Sequence, residues 1–212
     1  MTKLIIVRHG QSMANLNGTF AGQVDVPLSP LGHRQAEELK EYLTRRYKID
    51  VIYSSALSRA CDTVAPTAAA LGLPVIRDAG LKEIDGGKWE GLTNVEIAQK
   101  FPADFALWRD NIGLSRCTGG ESIRELQQRS IATTKRIAEE NDGRTVLIGT
   151  HAGFLRAMIC YWRGIPLEEM KSTTWVPNAS VTEVDYEDGK FRLLQEGEIS
   201  FLHGDVTRLT NI

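Results

Sequence analysis

The sequence predicts an α/β fold, a three-layer sandwich whose mostly parallel central sheet is covered by helices on both faces. Short apolar runs of strand length alternate with longer segments whose apolar residues recur at helical spacing. Several of these runs are continuously apolar, which is typical of strands buried on both faces of a parallel sheet. The last two runs flank Glu187-Asp188-Gly189, a turn sequence that predicts an antiparallel hairpin.

The predicted strands are 4–7, 51–53, 75–77, 145–148, 181–186 and 190–195. Between the third and fourth strands lies the segment 83–120, which is longer and more irregular than the other connections. We expect this segment to be an insertion that shapes a pocket wall.

The helices are predicted from their ends. Ser29-Pro30 begins one helix, because serine is a good N-cap and proline fits the first helical position. A second helix over 58–71 ends at Gly72. Capping boxes begin at Thr93 and Ser122, and the latter opens a long helix that reaches about 141–143. The last predicted helix spans 153–162.

The composition fits a single domain over residues 1–212. Hydrophobic residues make up 42% of the chain and charged residues 25%, and no apolar run approaches the roughly 20 residues of a membrane helix. The net charge of −2, without a basic block, predicts neither a nucleic-acid nor a membrane partner. Cys61, Cys117 and Cys160 form no CxxC pair, which predicts a cytoplasmic protein without disulfides or a thiolate metal site.

Charged side chains follow the predicted strands at their carboxyl ends, where open α/β sheets bind ligands. Arg8 and His9 follow the first strand, Arg59 the second, Glu83 the third and His151 the fourth. Two guanidinium groups and two imidazoles describe an anion site, since arginine offers forked donors to phosphoryl oxygens. A neutral imidazole can attack phosphorus, and the carboxyl group of Glu83 can supply a proton to the leaving oxygen.

A metal site is the alternative interpretation of two histidines and a carboxylate. It is disfavoured because a cation does not sit comfortably between two arginines and because the chain has no HxH or HExxH spacing. We therefore expect no metal and no cofactor.

Six segments together resemble the histidine phosphatase superfamily, the phosphoglycerate mutase-like family. The resemblance runs from residue 1 to about residue 194, and the order of the motifs makes it specific, although RHG alone would be a weak signal. The segments are LIIVRHGQS (4–12) with Asn15, DVPLSPLG (25–32), SSALSRACDT (54–63), LKE (81–83) with GKWEG (87–91), THAG (150–153) and NASV (178–181).

The resemblance implies a role for each matched residue. His9 would be the nucleophile that forms a phosphohistidine, and Glu83 would be the proton donor. Arg8, Arg59 and His151 would bind the phosphoryl oxygens, assisted by Asn15 and by the turn at Ala152. Phe20, Ala21, Gly22, Gln23 and Trp89 would lie near the rest of the substrate.

One position departs from the family's pattern, which usually has glycine where this chain has Ala152. If the backbone there needs a positive φ, alanine costs about 1 kcal/mol. A displaced His151 would be the consequence.

The expected function is that of a metal-independent phosphomonoesterase acting on a small phosphorylated metabolite. A phosphoglycerate mutase is the alternative, but the stretch after Glu83 resembles the phosphatase-like branch rather than the ERHYG-type stretch of mutases. A non-catalytic phospholigand-binding module is disfavoured because His9 and Glu83 are both present. The sequence leaves the oligomeric state open, with a homodimer as one option.

Overall fold

The computed structural model describes residues 1–204 and has a six-stranded sheet in the order β3-β2-β4-β1-β5-β6. The four strands β1 to β4 are mutually parallel, whereas β5 runs antiparallel to both β1 and β6. The predicted α/β class and the hairpin are therefore confirmed. The strands are β1 Thr2–Arg8, β2 Val51–Ser55, β3 Val75–Asp78, β4 Thr145–Thr150, β5 Val181–Glu187 and β6 Lys190–Glu198.

Helices connect the strands and cover the sheet. They are α1 Met13–Asn17, α2 Pro30–Arg46, α3 Ser58–Leu71, α4 Asn94–Lys100, α5 Pro102–Asp110, α6 Ile123–Glu140 and α7 Ala152–Arg163. Short 3₁₀ turns cover Ala79–Leu81, Gly87–Trp89, Ile112–Leu114 and Leu167–Ser172. No helix within residues 1–204 is both long and apolar enough to cross a membrane.

The helix ends follow the signals in the sequence. The Ser29 side chain accepts a hydrogen bond from the backbone of Gly32, and Ser122 and Glu125 cap α6 reciprocally. Helices α3 and α7 end at Gly72 and Gly164, both in the left-handed conformation that glycine adopts without strain.

Strand β1 explains the three layers. Its side chains alternate between the two faces of the sheet, and both faces are buried. Leu4 and Ile6 belong to a core with residues of α6 and α7, while Ile5 and Val7 belong to a second core with residues of α2 and α3. The continuously apolar run in the sequence thus serves both cores.

The segment 83–120 is more regular than the sequence predicts. It contains α4 and α5 and builds a third apolar core, in which Trp89, Ile97, Phe105 and Ile112 are buried together with residues of α6 and α7. Helix α1 is also absent from the sequence prediction, because it has only five residues and no apolar stripe that could reveal it.

The loop after β1 is fixed by a close approach to the start of α2. A Cβ atom on Gly32 would lie 2.1 Å from the carbonyl oxygen of Gln11, so only glycine permits this contact. The Gln11 carbonyl accepts from the backbone N–H of Ser29 at 2.8 Å, and Thr63 Oγ1 accepts from the N–H of Gly10 at 2.9 Å. His9 is therefore held by its neighbours in a rigid turn.

Candidate active site

A cleft of about 320 Å³ opens at the carboxyl ends of the parallel strands. Nine of the residues predicted from the sequence line it, namely Arg8, His9, Asn15, Phe20, Ala21, Gly22, Arg59, Glu83 and Ala152. His151 is fully buried beside His9, with 5.2 Å between the ring centroids. The structure thus brings together the side chains that the sequence places at four different strand ends.

His9 is held as a neutral imidazole with one free nitrogen. Its Nδ1 lies 2.7 Å from the carbonyl oxygen of Gly10, and because a carbonyl only accepts, we assign the proton to Nδ1. Burial, assisted by Arg59 and Arg8, lowers the pKa of His9 well below 6.5. The backbone carbonyl of His9 accepts from Asn178 Nδ2 at 2.8 Å. Nε2 is therefore left as the unprotonated nitrogen.

His151 stands at the N-cap of α7, and its Nε2 lies 2.8 Å from Ser55 Oγ. Burial lowers the pKa of His151 well below 6.5, with Arg59 as the next cause. Its Nδ1 is buried without a hydrogen-bond partner among the described residues. Ser55 is a contact that the sequence did not single out, although it is the last residue of β2 and belongs to the matched segment 54–63.

Ala152 occupies the first turn of α7 and lies outside the left-handed region. The non-glycine residues with positive φ in residues 1–204 are Ala179 and Asp188. Alanine therefore carries no backbone strain at position 152, and the expected cost and displacement of His151 do not arise.

The two arginines are buried and fixed by backbone carbonyl groups. Arg8 Nη1 donates to Val176 at 2.6 Å, while Arg59 donates to Val24 at 2.9 Å and to Gly22 at 2.7 Å. Burial lowers the pKa of Arg8 to about 10, against the opposing attraction of Glu83. Both guanidinium groups are thus cationic at neutral pH and held in one orientation.

Glu83 is oriented by backbone N–H groups that bind both oxygens of its carboxylate. Oε1 accepts from the N–H of Ile84 at 2.9 Å, and Oε2 accepts from the N–H of Gly153 at 3.0 Å. A Cβ atom on Gly153 would lie 2.4 Å from Oε1, so a larger residue at this position would displace the Glu83 carboxylate. The Glu83 carbonyl also accepts from Gln23 Nε2 at 3.1 Å and from Arg129 at 3.2 Å.

Asn15 presents its amide nitrogen to a ligand. Its Oδ1 accepts from the backbone N–H and hydroxyl group of Ser12, at 3.1 Å and 3.0 Å, and from Asn178 Nδ2 at 3.2 Å. With the oxygen used in this way, Nδ2 is the group that remains for an anion in the cleft.

Two residues predicted near the substrate do not line the cleft. Trp89 is fully buried, packs edge-on against Phe20 and Trp108, and donates from Nε1 to Thr118. Gln23 holds the backbone of Glu83 instead. Both support the wall that Phe20, Ala21 and Gly22 form.

The cleft also contains residues that sequence reasoning missed. Arg156 lies one turn after Ala152 on α7, so helical spacing could have revealed it. The other additions come from segments that match none of the catalytic motifs. They include Asn94, Trp108, Arg109, Lys171 and Trp175.

The part of the chain that the structure describes contains no set of ligands for the metal site considered as an alternative. No group of three or more histidine, cysteine, aspartate or glutamate side chains in residues 1–204 is placed to hold a metal ion. Glu83 is the single carboxylate on the cleft wall among the described residues.

Comparison with known proteins identifies the family. Residues 4–198 match the model of the histidine phosphatase superfamily (branch 1). Phosphoserine phosphatase 1 of Hydrogenobacter thermophilus is 34% identical over 92% of each chain. A glucosyl-3-phosphoglycerate phosphatase of Mycolicibacterium vanbaalenii is 31% identical over 89% of each chain. The metal-independent phosphoserine phosphatase of Arabidopsis thaliana is 33% identical over 95% of this chain and 84% of its own.

Solved structures of similar proteins have the same fold. Bacillus stearothermophilus YhfR superposes with a TM-score of 0.90 at 30% identity, over 95% of this chain and 99% of its own. A phosphoserine phosphatase variant from Entamoeba histolytica, in complex with phosphoserine, gives a TM-score of 0.85 at 25% identity. The match covers 96% of this chain and 100% of the other.

The chain belongs to the histidine phosphatase superfamily, as the motifs predict. The predicted three-layer fold and the class of enzyme, a phosphoric monoester hydrolase, are confirmed with it.

Proposed function

We propose that the enzyme hydrolyses small phosphomonoesters in two steps, through a covalent phosphohistidine at His9 Nε2. The observation that carries the proposal is the state of His9: a neutral imidazole with Nδ1 bound to Gly10 and Nε2 available, beside two buried arginines. A protonated imidazole could not attack, and an imidazole without neighbouring cations would leave the charge of the phosphoryl group unbalanced.

In the first step, Nε2 attacks phosphorus and the bond from phosphorus to the ester oxygen breaks. Glu83, in its carboxylic acid form, gives its proton to the departing oxygen, which leaves as an alcohol. Arg8, Arg59 and His151 surround the position where the equatorial phosphoryl oxygens would lie. The arginines carry fixed positive charge there, so the site needs little reorganisation as charge spreads over those oxygens.

In the second step, water attacks the phosphohistidine. The carboxylate of Glu83 takes a proton from that water, the bond from phosphorus to Nε2 breaks, and inorganic phosphate leaves. Each residue thereby returns to its starting state. His9, Glu83 and His151 act in catalysis, while Arg8, Arg59, Asn15 and the N–H groups at Ala152 bind phosphate.

Relatives support a small substrate and a reaction without metal. Of the three sequence relatives described above, two are phosphoserine phosphatases, one of them named as metal-independent, and the third is a glucosyl-3-phosphoglycerate phosphatase. Among the described residues, five cations and one carboxylate line the cleft wall, so side chains provide positive charge without a metal ion.

The test follows phosphate release from O-phosphoserine and p-nitrophenyl phosphate in the presence of EDTA. We expect His9→Ala to lower kcat by at least about 10³-fold, while His33→Ala, at an exposed position, serves as the matched control. Rapid quenching with ³²P-labelled substrate should trap an acid-labile, alkali-stable phosphoenzyme in the unmodified enzyme only. Full activity of His9→Ala would overturn the covalent route, and faster exchange between 3- and 2-phosphoglycerate than phosphate release would instead indicate a mutase.

A further inference from the structure

A second cationic site lies on the cleft wall, away from the groups assigned to the phosphoryl group. Arg156 is 3% exposed and lines the cleft. Its Nε donates to Thr173 Oγ1 at 3.2 Å, and its Nη2 donates to the carbonyl groups of Met170 and Thr173 at 3.2 Å and 2.9 Å. The guanidinium carbon lies 4.4 Å from the ring centroid of Trp175. These contacts fix the plane of the guanidinium group and leave Nη1 without a partner among the described residues.

No carboxylate neutralises this buried charge. Within residues 1–204, Arg156 forms no ion pair, and only neutral groups accept its hydrogen bonds. Burial lowers the pKa of Arg156 to about 10, so the group is still cationic at neutral pH. Because a buried guanidinium without a counter-charge is costly, its place on a cleft wall indicates that an anionic ligand completes it.

Lys171 adds a second cation on the same wall. It is exposed, lines the cleft, and forms no hydrogen bond or ion pair with any residue that the structure describes. The hydrogen bond from Arg109 lowers the pKa of Asp110, and the charge of Lys171 adds to this effect. Lys171 therefore adds a second cation, without a hydrogen-bonded partner among the described residues, to the cleft that Arg156 lines.

Helix α7 contributes a residue to each of the two sites. Ala152 stands at the first turn beside the proposed phosphoryl site, and Arg156 follows four residues later on the same face. Four residues advance about 6 Å along a helix.

We propose that Arg156 and Lys171 bind a carboxylate of the substrate, so that the enzyme selects phosphorylated amino acids or hydroxy acids over phosphorylated sugars and alcohols. The two oxygens of a carboxylate match one guanidinium nitrogen and one ammonium group. This proposal rests on the proposed phosphomonoesterase activity and adds the class of substrate.

Two substrates that differ only in the carboxylate provide the test, namely O-phosphoserine and O-phosphoethanolamine. We expect the unmodified enzyme to show a kcat/KM at least about tenfold higher for phosphoserine, as a charge-assisted hydrogen bond would give. Lys171→Met and Arg156→Lys should each move this ratio towards one. Lys190→Met is the matched control and should keep the ratio, because Lys190 is exposed at the opposite end of the sheet, where β6 begins.

The outcomes separate this proposal from the activity on which it rests. Equal kcat/KM values for the two substrates, or an unchanged ratio in Lys171→Met, would overturn the carboxylate site while leaving the phosphatase intact. Absence of phosphate release from both substrates and from p-nitrophenyl phosphate would overturn the phosphatase proposal itself. Circular dichroism and thermal unfolding of Arg156→Lys show whether a lost preference accompanies a folded protein, and Lys171→Met decides the matter because its side chain is exposed.

Discussion

At the scale of single residues, the surroundings of His9 select both its charge and its tautomer. The Gly10 carbonyl holds the proton on Nδ1, while burial and the two arginines disfavour a second proton on Nε2. The same arginines that would bind the phosphoryl group thus keep the nucleophile neutral. One arrangement of charge therefore serves both substrate binding and attack.

The proposed role of Glu83 predicts a dependence on the leaving group. We expect Glu83→Gln to lower kcat for O-phosphoserine by 10²- to 10⁴-fold, the usual contribution of a general acid. The loss should be much smaller for the covalent step with p-nitrophenyl phosphate, because p-nitrophenolate leaves without needing a proton. Pre-steady-state measurement of p-nitrophenolate release isolates that step. If Glu83→Gln lowered the rate constant of phosphoenzyme formation equally for both substrates, Glu83 would not act as a proton donor and would only orient Gly153 and Ile84.

At the scale of elements, the strand ends were the most predictable feature. A parallel sheet brings the carboxyl ends of its strands to one edge, so residues far apart in sequence, such as Arg8 and His151, could be placed together without coordinates. Helical spacing places Arg156 one turn after Ala152, but it does not predict that the side chain is buried, because an arginine within an amphipathic helix is usually exposed. Its burial depends on the segment 167–173, whose carbonyl groups approach it and whose path no local pattern specifies.

The segment 83–120 shows the same limit. Its capping box at Thr93 predicts the start of a helix, and α4 begins at Asn94. The sequence does not predict the compact core around Trp89. Its partners Phe20, Phe105 and Trp108 lie at no fixed spacing in the chain, so no periodic pattern indicates their contact. Trp89 was consequently placed near the substrate, whereas the structure buries it one layer behind the cleft wall.

The loop that carries Phe20, Ala21 and Gly22 is held by Glu90, which yields a prediction at this scale. Glu90 Oε1 accepts from the backbone N–H groups of Gln23 at 2.6 Å and Gly86 at 3.1 Å. Without this carboxylate, the loop should lose its fixed position against the cleft, at a cost of about 1.5–3 kcal/mol for a hydrogen bond to a charged group.

We therefore expect Glu90→Ala to raise KM for O-phosphoserine by about tenfold, equivalent to ~1.4 kcal/mol, with a smaller change in kcat. Glu41→Ala, at an exposed position on α2, is the matched control. Steady-state kinetics supply the measurement, and a fall in kcat at constant KM would show that Glu90 takes part in the chemistry instead of holding the loop.

At the scale of the whole molecule, the average charge conceals a strongly uneven distribution. The chain carries a net charge of −2, yet the cleft wall bears Arg8, Arg59, Arg109, Arg156 and Lys171 against Glu83 alone among the described residues. A cleft lined by one sign of charge raises the local concentration of an anionic substrate. The same distribution has a cost in stability, because cations gathered around buried imidazoles oppose protonation of those rings.

This cost predicts how the stability of the protein depends on pH. Burial, together with nearby arginines, lowers the pKa values of His9 and His151 well below 6.5 in the folded state, whereas unfolding returns both to the ordinary value. Above pH 6.5 neither state binds these protons, and the two histidines do not affect stability. As the pH falls below 6.5, both imidazoles become protonated in the unfolded chain but stay neutral in the folded protein. The free energy of unfolding therefore decreases.

The limiting slope is about 1.4 kcal/mol per pH unit for each histidine, or roughly 2.7 for both. Carboxylates with lowered pKa values, such as Glu125 at about 2, add their own losses only at lower pH, below their ordinary value of 4.5. Urea unfolding between pH 7 and 5 therefore reports on the histidines. We expect His9→Asn, whose amide can still donate to Gly10, to reduce this slope by about 1.4 kcal/mol per pH unit, the contribution of one histidine. His33→Asn, at an exposed position, should leave the slope unchanged. A free energy of unfolding that stays constant from pH 7 to 5 in the unmodified protein would contradict the neutral state of both buried imidazoles, and with it the state of His9 that the proposed reaction requires.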